Sequence, residues 1–290
     1  MRITLKSFPI RQKEKSNLRK IAGDIPGSNG QVEKTQSRIE EKQMIQDLHS
    51  HTYYSFCGGD KPEEIVEAAI AGGIELFGIT DHNYGIGNAR TDLYLYRGND
   101  IGENYERTLT RYYDHINLIK EKYADQIRVL RGIEVATMQE GRIALPDSAD
   151  ISFFDYCLVE NLDLTDISVA HGDLFSFAKR CGCPVGIAHT DMFAFIEKLG
   201  EKPEEYFKRM AQENIFWEMN VSYDSIHNYR EHSYMLHFFE DERQQKIIRE
   251  SGVRLSVGFD GHRVKDYLPE RVSDYCRRIT QMGIKLAFEE

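Results

Sequence analysis

The chain has 290 residues, 41% of them hydrophobic, and a formal net charge of −10 at pH 7. That length holds one large domain or two modest ones, and the apolar fraction is ordinary for a globular protein. The acidic balance argues against a broad nucleic-acid-binding surface, and no run approaches the ~18 apolar residues needed to span a bilayer.

Five cysteines (Cys57, Cys157, Cys181, Cys183, Cys276) form no paired C-x-x-C and no disulfide framework. Reduced thiols in a cytoplasmic protein are the expectation. Residues 1–43 carry ten Lys or Arg against five Asp or Glu, with Gly23, Pro26, Gly27, Ser28, Asn29 and Gly30 clustered in the middle. They read as a basic, partly flexible extension with no apolar core of a secretory signal. The main domain is expected over residues 44–290.

Met44-Ile45-Gln46 reads as a short strand leading into Asp47-Leu48-His49-Ser50-His51. Side chains at i and i+2 of an extended chain share a face, so His49 and His51 would project together as a chelate for a divalent ion. Pro62 opens a helix, with Glu63 and Glu64 in its first turn, and Gly72-Gly73 ends it. The apolar strand 76–79 runs into Thr80-Asp81-His82. Residues 83–104 form a long insertion whose Tyr84, Arg90, Tyr94, Tyr96 and Arg97 suit either a lid or a solvated loop.

A helix over 105–123 leads to a strand over 127–133 that ends on Glu134. The strand 155–159 ends near Glu160 and Asn161, and the strand 184–188 ends on His189. Helices are expected over 174–180, 203–212, 234–250 and 268–282, and strands over 215–220 and 253–258. The last strand ends at Asp260 and His262. About seven strand–helix units result. In a closed parallel barrel the C-terminal ends of all strands converge on one mouth. Each of these His, Asp and Glu residues falls at such an end, which fits a barrel whose mouth holds a metal cluster.

The stretches DLHSH (47–51), ITDHN (79–83), GIE (132–134), IAHTD (187–191) and GFDGH (258–262) together closely resemble the PHP family, named for polymerase and histidinol phosphatase. The resemblance implies a distorted seven-stranded TIM-like (β/α)7 barrel, two or three divalent metal ions and hydrolysis of phosphate esters. It implies that His49 and His51 bind a first metal with Asp260, that Glu134 bridges first and second metals, that His189 binds the second, and that His82 and His262 bind the third. Glu134, Asp260 and His189 are the implied catalytic residues. Mixed imidazole and carboxylate ligation suits Zn, Mn or Fe better than Mg.

Two positions depart from the family pattern. Where many members place a His or Asp as a third-metal ligand, this chain offers Cys57, with Asp60 as second choice. After the strand 155–159, where family phosphatases usually carry a His, it offers Glu160 and Asn161. Arg263 follows His262 and could reach a substrate phosphate. Asp81 is expected to orient a ligand or cap a helix. His171, His227, His232 and His237 lack strand-end placement and are expected on the surface. No Ser or Cys shows a base-flanked arrangement in the sequence, which disfavours a covalent phosphoenzyme.

The expected function is hydrolysis of a small phosphomonoester by a metal-activated water, with no membrane partner. Oligomeric state is left open, and nucleic acid is disfavoured as a partner, although the same chemistry would serve a 3′–5′ exonuclease. An amidohydrolase shares the barrel, the HxH pair and the late Asp, but usually carries a modified Lys on a central strand. A non-catalytic, metal-binding regulatory barrel is a further alternative.

Overall fold

A computed structural model describes residues 44–83, 86, 101–135, 145, 149–162 and 173–289, with the backbone alone over 101–107. The basic extension 1–43, the lid candidates Tyr84, Arg90, Tyr94, Tyr96 and Arg97, and His171 lie outside the described residues.

Seven strands form one parallel sheet in sequence order: β1 (Gln46–Asp47), β2 (Leu76–Ile79), β3 (Arg128–Val135), β4 (Tyr156–Val159), β5 (Val185–Ile187), β6 (Ile215–Asn220) and β7 (Leu255–Gly258). The chain just past β1 closes the ring. Leu48 N donates to Val257 O at 2.9 Å, Asp260 N to His49 O at 2.8 Å, and His51 N to Gly261 O at 2.8 Å. On its other side Thr80 N donates to Ser50 O at 2.9 Å. The two metal-candidate histidines of this segment are thus held between β2 and β7.

The helices are α1 (Pro62–Ala71), α2 (Ile101–Lys122), α3 (Leu174–Cys181), α4 (Met192–Leu199), α5 (Pro203–Gln212), α6 (Ser233–Glu240), α7 (Glu242–Ser251) and α8 (Pro269–Gln281). The α4 helix has no counterpart among the expected elements. The single helix expected over 234–250 is two, because Asp241 takes an extended backbone and its carboxylate caps the next helix by accepting from Arg243 N and Gln244 N. Among the described residues no helix is long and apolar enough to cross a membrane. All five cysteines are free.

Two-residue alternation sorts the strand side chains into two environments. Phe77, Ile79, Val129, Ile133, Val159, Ile187, Trp217 and Val257 join the large core shared with the helices. Each fully buried large side chain in such a layer is worth about 1.5–3 kcal/mol. Leu48, Leu76, Leu130, Tyr156, Leu158, Ala188 and Phe216 form a separate inner cluster with Ala287, against which Phe288 packs. The C-terminal residues therefore help to plug the barrel. Tyr156 Oη donates to Leu48 O at 2.6 Å, tying β4 to the chain after β1 across the interior.

The same inner register continues upward. Leu130 and Gly132 are followed by Glu134, Tyr156 and Leu158 by Glu160, Phe216 by Glu218 and Asn220, and Ser256 and Gly258 by Asp260. The interior is apolar at one end and becomes acidic at the C-terminal mouth. Glycine is needed where the walls approach. A Cβ on Gly132 would lie 2.5 Å from Thr80 Cγ2 and 2.8 Å from Tyr156 Cζ.

Candidate metal centre

Glu134 is fully buried at the centre of the mouth. Its Oε1 lies 3.3 Å from His49 Nε2 and 3.4 Å from His189 Nε2. Its Oε2 lies 2.9 Å from His82 Nδ1 and 3.4 Å from His51 Nε2. Despite four imidazole nitrogens nearby, neither oxygen makes a hydrogen bond of acceptable geometry.

His49 and His51 project together, as the alternation predicts. Their Nε2 atoms are 3.1 Å apart, and Asp260 Oδ1 lies 3.4 Å from the first and 3.1 Å from the second. Ligands 2.0–2.1 Å from a tetrahedral ion are separated by about 3.3 Å, so His49, His51 and Asp260 have the spacing of three ligands of one ion. Each histidine also has its other nitrogen engaged. His49 Nδ1 lies 2.7 Å from Glu218 Oε1, and His51 Nδ1 lies 3.3 Å from Ser55 Oγ. This leaves both Nε2 atoms facing the shared point, the usual arrangement around a metal-ligating histidine.

A second group joins His82, Glu134 and Glu160. Glu160 Oε1 is 3.7 Å from His82 Nδ1, and its Oε2 is 3.6 Å from His189 Nε2. Of the two candidates after β4, Glu160 therefore enters the cluster, while Asn161 adopts a left-handed backbone with φ 57° that turns the chain at the strand end. His189 (φ 25°) and Asp260 (φ 55°) share that uncommon conformation. Such strained non-glycine residues cluster at functional sites.

A third group joins His51, Cys57 and His82. The His51 ring is stacked between those of His82 and His262, with centroids 4.5 and 4.7 Å away. Burial would raise the Cys57 thiol, but the His262 and His82 imidazoles beside it outweigh burial and hold it below the usual value. Cys57 thus stands beside two imidazoles, although neither is close to it along the chain. Asp60 is engaged elsewhere, its Oδ2 accepting from Val264 N at 2.6 Å. Asp81 orients the segment carrying these groups. Its carboxylate accepts from Thr52 N and Oγ1, both at 2.7 Å, and from Ser55 N and Oγ.

Burial would strip protons from His49 and His82, but the carboxylates Asp260 and Glu218 around His49, and Glu134 beside His82, raise both well above the ordinary imidazole value. Burial likewise opposes His189 and His262, whose carboxylate neighbours nevertheless raise them to about 9 and about 10. Burial and the nearby His82 push His51 down to about 3. Burial is outweighed at Glu134 and Asp260 by the imidazoles, His49 foremost, and both stay ionised well below the usual carboxylate range. Burial, reinforced by Glu134, pushes Glu160 up to about 7. So many buried carboxylates require compensating positive charge, which divalent cations could supply to this donor set.

Arg263 is placed differently from its expected role. Its guanidinium packs over Gly59 and lines a surface groove with Asp60, Glu64, Val264 and Lys265. His237 is exposed, as expected, but His227 and His232 are only partly exposed. His227 Nε2 lies 3.0 Å from Asp260 Oδ2, and the His232 ring stacks on that of His189 at 5.9 Å. The loop after β6 folds them over the mouth, a placement that distance along the chain does not reveal. Glu218, Asn220 and Asp224 were also missed. Glu218 Oε2 accepts from His189 N at 2.9 Å, and Asn220 Nδ2 donates to Asp260 Oδ2 at 3.2 Å. The signal for the first two was available, since Glu218 and Asn220 stand two apart on the inner face of an otherwise apolar strand.

The family model of the PHP domain matches residues 47–285. A histidinol-phosphatase of Lactococcus lactis subsp. lactis (strain IL1403) is 26% identical over 133 residues, covering 46% of this chain and 45% of that protein, so the match spans about half the length of this curated relative. The crystal structure of histidinol phosphate phosphatase from Lactococcus lactis subsp. lactis Il1403, complexed with zinc, L-histidinol and phosphate, superposes with a TM-score of 0.49 at 17% identity. The alignment covers 83% of this chain and 95% of that one. With the family model spanning most of the described barrel, the chain belongs to the PHP domain family.

Proposed function

We propose that this protein is a metal-dependent phosphoesterase that hydrolyses a small phosphomonoester, in the manner of a histidinol phosphatase. The observation that carries this reading is the ligand-like spacing of His49, His51 and Asp260, with buried Glu134 beside them making no hydrogen bond of acceptable geometry through either oxygen. Membership of the PHP family and a relative named histidinol-phosphatase support it.

His49, His51 and Asp260 would hold the first ion and Glu134 would bridge it to the second. His189 and Glu160 would complete the second, and His82, His262 and Cys57 the third. A set of nitrogen, oxygen and one sulfur donor suits Zn, Mn or Fe. Two or three such ions, when bound, supply a water that ionises near neutral pH and positive charge for the phosphate oxygens.

The chain's own residues prepare the site for that chemistry. Glu218 and Ser55 hold His49 and His51 in one orientation. Glu134, Asp260 and His189 would stand next to the reacting phosphate, and the partly exposed His227 borders the mouth. With both flanking imidazoles assigned to the third ion, Cys57 serves as a ligand rather than as a nucleophile. An amidohydrolase reading lacks its modified lysine, because no Lys follows any of the seven strands.

The test is elemental analysis of the purified protein with a phosphatase screen in added Mn or Zn. Two or three ions per chain with turnover of a phosphomonoester are expected, and the paired H49A/H51A variant should lose both the first ion and turnover. A double variant that kept full turnover would refute the assignment. Bound metal with no ester hydrolysis would favour a regulatory barrel.

A further inference from the structure

Asp224 lies on the loop between β6 and α6, outside every strand-end motif, yet it is only 1% exposed. Its Oδ1 accepts from His227 N at 2.9 Å and lies 2.8 Å from His227 Nδ1. Its Oδ2 faces His262 Nδ1 at 3.6 Å, and both of these buried atoms lack a hydrogen bond of acceptable geometry. On its far side the His227 ring presents Nε2 to Asp260 Oδ2 at 3.0 Å. Asp260 thus divides its oxygens. Oδ2 faces His227 and Asn220, while Oδ1 faces His49 and His51.

Asp224, His227 and His262 have the composition of a separate metal site, but their distances argue against one. The 2.8 Å contact between Asp224 and His227 is that of a direct, charge-assisted hydrogen bond. It is shorter than the separation of about 3.3 Å between two ligands of a tetrahedral ion. The group instead has the form of a brace, in which one carboxylate hydrogen-bonds one imidazole and faces a second. One of these leads to Asp260, and the other is itself a proposed ligand.

We propose that Asp224 is a positioning residue of the metal centre. Through His227 it fixes which oxygen of Asp260 faces the first ion, and directly it fixes the ring of His262 at the third. One residue of the loop after β6 thereby governs two of the proposed metal positions. This rests on the ligand assignment given under the proposed function.

The experiment measures the zinc ions retained per chain, and their affinities by chelator competition, in wild type, D224A, H227A and D224E, together with the visible spectrum of each protein loaded with Co(II). Loss of an outer partner of a metal ligand costs about 10–100-fold in affinity. D224A should weaken two ions by that factor and alter the Co(II) spectrum. H227A should weaken one, toward the lower end because Asn220 still holds Asp260, and D224E should recover part of the loss. Wild type that binds no zinc overturns the ligand assignment and this inference with it. Wild type that binds two or three ions while D224A binds them equally well overturns the inference alone. So does a D224A variant whose only change is a lower melting temperature.

Discussion

His49 Nδ1 meets Glu218 Oε1 at 2.7 Å, and both side chains are buried. The contact joins the chain after β1 to β6 over Gly258 of β7. Glu218 also accepts from His189 N through its other oxygen. A single carboxylate on an inward-facing strand position therefore sets the orientation of one proposed ligand of the first ion and the backbone of one of the second.

E218Q should consequently lower metal affinity and phosphomonoester turnover by about 10–100-fold. The glutamine keeps the volume but offers one acceptor in place of two. Metal titration and steady-state kinetics check this. Unchanged affinity would mean that His49 is oriented by the barrel wall alone.

G258A tests how closely the site and the barrel wall are packed. A Cβ there would collide with Glu218 Oε1 and lie 2.6 Å from His49 Cβ. Overpacking of this kind costs about 1–3 kcal/mol. Thermal unfolding should show that loss, and metal affinity should fall with it because both residues that would have to move belong to the centre. A variant with wild-type melting and wild-type affinity would contradict the close approach of Glu218 and His49 to the β7 backbone.

Metal binding should also stabilise the fold. A ligand at about 100 times its Kd contributes about 2.7 kcal/mol, which for a domain of this size is a melting rise of roughly 5–10 °C. Chelator-treated protein should show that rise when Zn is restored, and H49A/H51A should show a smaller one. Equal rises in the two proteins would place the ion elsewhere.

The ion pair outside the mouth predicts acid behaviour. Burial raises the Asp155 carboxyl, but hydrogen bonds from Arg131 outweigh it and set the group below its usual 3.8. Asp155 Oδ1 accepts from Arg131 Nη2 at 2.7 Å and its Oδ2 accepts from Arg131 N at 2.8 Å. A carboxylate with a lowered folded-state pKa contributes stability that is full above the unfolded value and is lost as pH falls through the folded value. D155N should cost about 1–3 kcal/mol at neutral pH. The gap from wild type should stay constant down to about pH 4 and close only below it. Denaturant unfolding across pH measures this, and a gap that narrowed near pH 6 would assign the stability to another group.

The HxH pair, the acids at strand ends and the alternation of strand and helix were legible along the chain because they depend on local rules. Two-residue periodicity places His49 beside His51 and Glu134 on the inner face whatever the rest of the molecule does. The break at Asp241 was harder to see, since its cap competes with an otherwise continuous helical pattern.

Contacts between elements far apart in the chain required the closed barrel. Cys57 meets His82 and His262 only because β1 closes the ring between β2 and β7. Glu218 reaches His49 from 169 residues away, and Arg263, although adjacent to His262, packs over Gly59. His227 and His232 carry no sequence signature of a site, because a loop residue gains its environment from where the loop lands. The sequence by itself determined the fold class and the inward-facing ligands, through periodicity. The tertiary structure decided which buried carboxylates orient those ligands, because burial and pairing are properties of the assembled mouth.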